Sequence, residues 1–286
     1  MNLERRPGFL DGLSFTVAVT AASRIMILRD RLLRRVSTRR LSDAPGQSVS
    51  RHSISSGREL LDAAFVMPAG ESPRAALLIC HGIGETIDHW LAVQHLLAEQ
   101  GIASLVFDYA GYGRSTGTVR WEQCEVDAVA AFELLRSLAP ALQPSVLGFS
   151  MGSGIAAAIM DRISPKHLVL CAAFTSFQAA TCAVGLPKRL AFVAPPIWNT
   201  SECLRRCPSP PLIIHGGGDR LFPQQMALDL AARCQPSAEF VIVANQRHNE
   251  PFRRPHLSYW GNIIRRLTPD HQAAPSLWQV EHIPEP

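Results

Sequence analysis

The sequence predicts an α/β fold, with a mostly parallel central sheet and helices packed on both of its faces. Three observations carry this. Short continuous apolar runs, such as residues 75–80 and 145–149, are what strands buried on both faces require. Longer segments with helical spacing separate them, so strand and helix alternate. The chain has 286 residues and 47% hydrophobic content, enough for one large domain with its own core.

Taken in order, residues 42–58 are rich in serine and read as a linker. Strands are expected over 63–67 and 75–80. A helix over 90–99 is closed by Gly101, since glycine accepts the left-handed backbone that ends a helix. Then follow a strand over 104–107, a helix over 122–138, a strand over 145–149 and a helix over 150–162. Strands over 167–172 and 212–215 flank a segment, about 174–210, that reads as a short lid. A helix over 223–233, a strand over 239–243 and a helix over 257–267 complete the pattern. Three parts result: a basic extension and linker (1–58), a body (59–270) and a tail (271–286).

The charge is unevenly placed. The chain carries +4 overall, yet residues 1–40 hold nine arginines against Glu4, Asp11 and Asp30, a local net of +6 that leaves the remainder at −2. The basic charge belongs to the tail and not to the body, so nucleic acid is not implied as a substrate and none is expected as a partner. Residues 13–40 read three ways: a packed or loose tail, a helix lying on a membrane surface, or a targeting or anchor segment. The membrane reading rests on Ile25, Leu28, Leu32 and Val36, which share one helical face among the arginines. The seven cysteines are odd in number and several lie in apolar runs. They read as reduced thiols in a cytoplasmic compartment, with membrane association left open.

Gly148-Phe149-Ser150-Met151-Gly152 is the most informative stretch. It joins an apolar strand to a helix of small residues. A serine nucleophile on so sharp a turn must expose its oxygen, and its neighbours must have no bulk. The new helix also directs the Met151 N–H to where an oxyanion would form.

A serine hydroxyl needs a base, and the base a carboxylate to orient it. His215-Gly216-Gly217-Gly218-Asp219 follows one strand, and its open turn suits a carboxylate aimed across the sheet top. His248 lies five residues after another strand. The competing reading of Asp219 is a cap for the helix near Pro223. The competing reading of His248 is a plain loop histidine, with His256 in its place. A second oxyanion donor is expected from His81-Gly82-Ile83-Gly84-Glu85, and it is assigned to the Ile83 N–H. The competing reading there is an ordinary glycine turn.

These motifs, together with Phe107-Asp108-Tyr109-Ala110-Gly111-Tyr112-Gly113-Arg114-Ser115, resemble those of α/β-hydrolases of the serine aminopeptidase and monoglyceride-lipase-like type. The resemblance covers residues 60–268. It implies the α/β-hydrolase fold with a short lid. It also implies a catalytic triad of Ser150, Asp219 and His248, with Ile83 and Met151 as the oxyanion hole. The chain departs from the family at Ala110, where an arginine is usual, and before His248, where a glycine turn is usual. Gly82, Phe174 and Trp198 are the substrate-contact candidates; the competing reading packs the lid aromatics onto the body. The expected partner is a small-molecule ester or acyl compound. The expected activity is cleavage of an ester or thioester through an acyl-enzyme, with no cofactor and no metal. The alternatives are an aminopeptidase or amidase, an acyltransferase, or a non-catalytic binding module.

Overall fold

Successive strands of this chain are not sheet neighbours throughout, and the place where their order breaks determines where the site forms. A computed structural model describes residues 47–269, apart from 69, 71 and 235. The stretch 13–40 and the tail 271–286 lie outside the described residues. The strands are β1 (Gln47–Ser56), β2 (Glu59–Pro68), β3 (Ala75–Cys80), β4 (Ile102–Phe107), β5 (Ser145–Phe149), β6 (Leu168–Cys171), β7 (Leu212–Gly216) and β8 (Glu239–Val243). They form one sheet in the order β1-β2-β4-β3-β5-β6-β7-β8. β1 and β2 pair antiparallel, as do β2 and β4; every pairing from β4 to β8 is parallel. The helices are α1 (Ile87–Glu99), α2 (Trp121–Leu138), α3 (Met151–Ile163), α4 (Phe177–Ala183), α5 (Thr200–Leu204), α6 (Gln224–Ala231), α7 (Glu250–Arg253) and α8 (Leu257–Leu267).

The apolar runs are apolar because both of their faces are covered. Every residue of β3, β4, β5 and β6 is buried. In β3, Ala76, Leu78 and Cys80 enter one core with residues of α2, α3 and α6. Ala75, Leu77 and Ile79 enter the other with residues of α1, α7 and α8. The two-residue period of a strand thus divides one hexapeptide between two helical layers.

α1 begins with a capping box in which the Thr86 and His89 side chains satisfy each other's backbone. It ends before Gly101, whose φ is +75°. Its buried residues Trp90, Val93, Gln94 and Leu97 share one helical stripe. The single polar member, Gln94, donates to the carbonyls of Ala64 and Ser104.

The linker expected over 42–58 is corrected by β1, which covers Gln47–Ser56 and runs the full length of β2. Only Ile54 and Ser56 of this strand are buried. An outermost strand needs few apolar side chains, so its serines look like loop composition. Ser56 is held inside by its hydroxyl, which donates to Asp127 Oδ1 at 2.6 Å. The other Asp127 oxygen accepts the Ala110 N–H at 2.8 Å, which ties β1, α2 and the turn after β4 together.

Candidate active site

The chain leaves β3 for β4 on one side and later returns to β5 on the other. The two strands stay paired to Cys80 and Gly148, and the turns that leave their carboxyl ends lie where an open α/β sheet places its binding crevice. The β3 turn (His81–Glu85) and Ser150 meet there.

Ser150 stands between β5 and α3 with φ +53° and ψ −117°. A non-glycine residue held there stores roughly 1–3 kcal/mol of strain, so its surroundings must enforce it. They do. A Cβ on Gly148 would lie 2.3 Å from the Gly152 carbonyl oxygen, and one on Gly152 would lie 1.9 Å from the Cys80 carbonyl oxygen. Both glycines are required by close backbone approach. The Ser150 N–H donates to Cys171 O at 3.0 Å, and the Ser153 hydroxyl donates to Ser150 O at 2.6 Å.

Three side chains selected from the sequence come together. His248 Nδ1–H donates to Asp219 Oδ2 at 2.6 Å. This fixes the tautomer, leaving Nε2 to accept from the Ser150 hydroxyl at 3.0 Å. Asp219 does not cap the helix that starts at Gln224, whose N-cap is Pro223 with no side-chain bond; its two oxygens are divided between the turn before that helix and His248. Oδ1 accepts the N–H groups of Leu221 and Phe222, while Oδ2 serves His248. Burial pushes the Asp219 carboxyl up, but the His248 bond and charge and the two N–H donors outweigh it, and the net shift is downward. His256 is elsewhere, as the N-cap of α8, where its ring accepts the Ser258 N–H.

The imidazole is held by aromatic neighbours that sequence reasoning did not select. Phe149 and Phe222 lie 5.4 and 5.3 Å from the His248 ring. Phe252 of α7 packs on Phe149 and stacks on Trp90. Phe149 is visible inside the G-F-S motif and Phe252 follows His248 by four residues; nothing in the sequence marks Phe222.

Three amides occupy the turn after β3. The Gly82 N–H goes to Glu85 Oε2 at 2.8 Å. Ile83, the next residue, is 37% exposed. A Cβ on Gly82 would stand 3.2 Å from Ser150 Cβ, so this turn and the serine are in near contact. Met151 opens α3 directly after Ser150.

The other two substrate-contact candidates are placed differently. Phe174 and Trp198 are 1% and 3% exposed. Both press on Gly154 of α3. Trp198 also packs on Trp121 and Phe177 and donates to Glu125. They fasten the insertion to the body and offer a substrate almost no surface. Its exposed apolar residues are Val184, Leu190 and Phe192.

The sheet order, and the solved structures it superposes on, give the chain the α/β-hydrolase fold. The family description "serine aminopeptidase, S33" matches residues 71–209. An uncharacterized protein of Mycobacterium tuberculosis is 30% identical over 182 residues, covering 62% of this chain and 63% of that protein. The lysophosphatidylserine lipase of Macaca fascicularis is 25% identical over 232 residues, covering 70% and 58%. The chain thus spans about three-fifths of the length of these relatives. Among solved structures, an esterase of Pyrococcus furiosus superposes with a TM-score of 0.60 at 17% identity, covering 78% of this chain and 90% of that one. A serine hydrolase without lid from Xanthomonas campestris gives 0.61 at 18%, covering 78% and 94%.

Proposed function

We propose that the protein is a serine hydrolase that cleaves a small-molecule carboxylic ester or thioester with an apolar acyl group, through an acyl-enzyme. The observation that carries this is the hydrogen-bonded chain from Asp219 through His248 to Ser150, at 2.6 and 3.0 Å. Ser150 Oγ attacks the carbonyl carbon as His248 Nε2 takes its proton. The tetrahedral oxyanion accepts the N–H groups of Ile83 and Met151. His248 then protonates the departing oxygen or sulfur. Water, deprotonated by the same ring, releases the acid and restores Ser150.

The exposed Val184, Leu190 and Phe192 of the insertion support an apolar acyl group. The esterase and lipase relatives support an ester. The aminopeptidase family name supports amide cleavage as a second reading. The test is a panel of p-nitrophenyl esters of increasing chain length beside aminoacyl p-nitroanilides. Ester turnover that is lost in Ser150→Ala and His248→Ala is expected. Turnover of anilides alone would move the reading to an amidase, and an acyl acceptor that raises turnover would move it to a transferase. Contact of residues 13–40 with a membrane surface is tested by sedimenting the full chain with anionic vesicles, where pelleting is expected.

A further inference from the structure

Glu85 is buried within the turn that supplies Ile83, and the chemistry proposed above gives it no task. Its carboxyl makes two bonds, and both fall on one oxygen. Oε2 accepts the Gly82 N–H at 2.8 Å and the Trp90 indole N–H at 2.9 Å. The Glu85 N–H closes the same turn onto Gly82 O at 3.4 Å. One side chain therefore joins the β3 turn to α1. Trp90 in turn stacks on Phe252, four residues past His248. Glu85 stands between the oxyanion side of the site and the histidine side.

The second oxygen, Oε1, lies against Gly82, as the serine does. A Cβ on Gly82 would lie 2.5 Å from Oε1 and 3.2 Å from Ser150 Cβ. Oε1 and Ser150 Cβ thus both crowd the place that a Gly82 side chain would take. A negative charge there would oppose the oxyanion that the turn is meant to stabilise. A carboxyl that gives both acceptor roles to one oxygen leaves the other free to carry a proton.

We propose that Glu85 is a positioning residue that acts as a neutral carboxylic acid, tying the Gly82–Gly84 turn to Trp90 and so holding the Ile83 N–H beside Ser150 without adding charge there. The inference rests on the serine-hydrolase reading. Burial raises the Glu85 carboxyl to about 8, against the lowering effects of the Gly82 and Trp90 donors and of the Arg253 charge from α7. The other ionisable groups around it are Tyr112 and Asp108 beyond β4, His81 at the end of β3 and His89 of α1. Tyr112 is raised by its own burial, with the Glu85 and Asp108 charges adding to the shift.

The sign of the pH effect follows from linkage. An unfolded chain releases this proton near 4.5, whereas the folded one holds it to about 8. Across that window the folded state loses stability as pH rises. Glu85→Gln keeps the acceptor oxygen and carries no proton to lose.

The test compares wild type, Glu85→Gln and Glu85→Ala, using p-nitrophenyl acetate hydrolysis and Tm, each followed with pH. The glutamine variant is expected to keep wild-type kcat at neutral pH and to lose the alkaline fall in kcat near pH 8. Its Tm should gain on wild type as pH rises. The alanine variant should lose kcat by roughly 10- to 100-fold with little change in KM, as when an oxyanion donor is misplaced. If it does not fold, the glutamine pH profile and Tm decide alone. A glutamine variant as poor as alanine, or a Tm difference that does not vary with pH, overturns the proposal. A wild type inert to both p-nitrophenyl acetate and a fluorophosphonate overturns the hydrolase reading and the positioning role with it. The Tm comparison still judges the neutral carboxyl by itself.

Discussion

Asp219 shows how a single side chain can hold a loop and orient an imidazole at once. Because one oxygen is spent on Leu221 and Phe222 and the other on His248, Asp219→Asn should disturb both. Under the proposed chemistry, an amide in place of Oδ2 favours the wrong imidazole tautomer, and kcat should fall by roughly 10³- to 10⁴-fold in ester turnover. The carboxyl is held below its ordinary 3.8, so its stabilisation is present above that pH and is lost as pH falls through the folded value. The Tm advantage of wild type over Asp219→Asn should therefore be full at pH 6 and shrink below pH 3.8, as scanning calorimetry would show. At this scale Ser150 was legible because sharp turns leave a glycine signature. Asp219 and His248 were legible because they follow strands. Phe174 and Trp198 were not: an apolar residue in an insertion looks the same whether it lines a pocket or packs on Gly154. Glu85 is visible in the sequence only as part of a motif, since sequence does not tell a buried carboxyl from a solvated one.

Among the elements, the β5–α3 turn carries the strictest demands. Gly152→Ala would drive a methyl into the Cys80 carbonyl at 1.9 Å, and backbone on both sides leaves nowhere to move. The expected result is loss of soluble folded protein, or a Tm lowered by ten degrees or more, an overpacking cost of about 3 kcal/mol or above. β3 and β5 were legible as apolar runs because helices cover both faces. β1 was hidden because one edge and most of its side chains meet solvent, so composition outweighed pattern. Deleting residues 47–56 should uncover the β2 edge and the Asp127 carboxyl together. Lower Tm with raised aggregation, measured by light scattering, is expected. An unchanged Tm would mean that β1 adds little to the sheet.

For the whole molecule, the crevice follows from strand order, and the helical layer beneath it keeps its two sides in register. Trp90 of α1 meets Phe149 of β5, Phe252 of α7 and Trp260 of α8, so one aromatic cluster underlies both the serine and the histidine loop. Phe252→Ala should cost about 3–5 kcal/mol of stability in chemical denaturation. It should also lower ester turnover in the protein that stays folded, because the His248 loop loses its support. Undiminished turnover would show that the His248 loop does not depend on Phe252. The alternation of strand and helix made this architecture legible, whereas the partners inside the cluster depend on contacts between distant segments that no local pattern records.

On the proposed reading, Ser150 is an activated nucleophile. The most direct measurement of this is intact and peptide mass spectrometry of the full chain after reaction with a fluorophosphonate. One adduct is predicted, on the peptide containing Ser150, absent from Ser150→Ala and formed far more slowly in His248→Ala. A folded wild type that takes no adduct, or one labelled equally well without Ser150, would contradict the account.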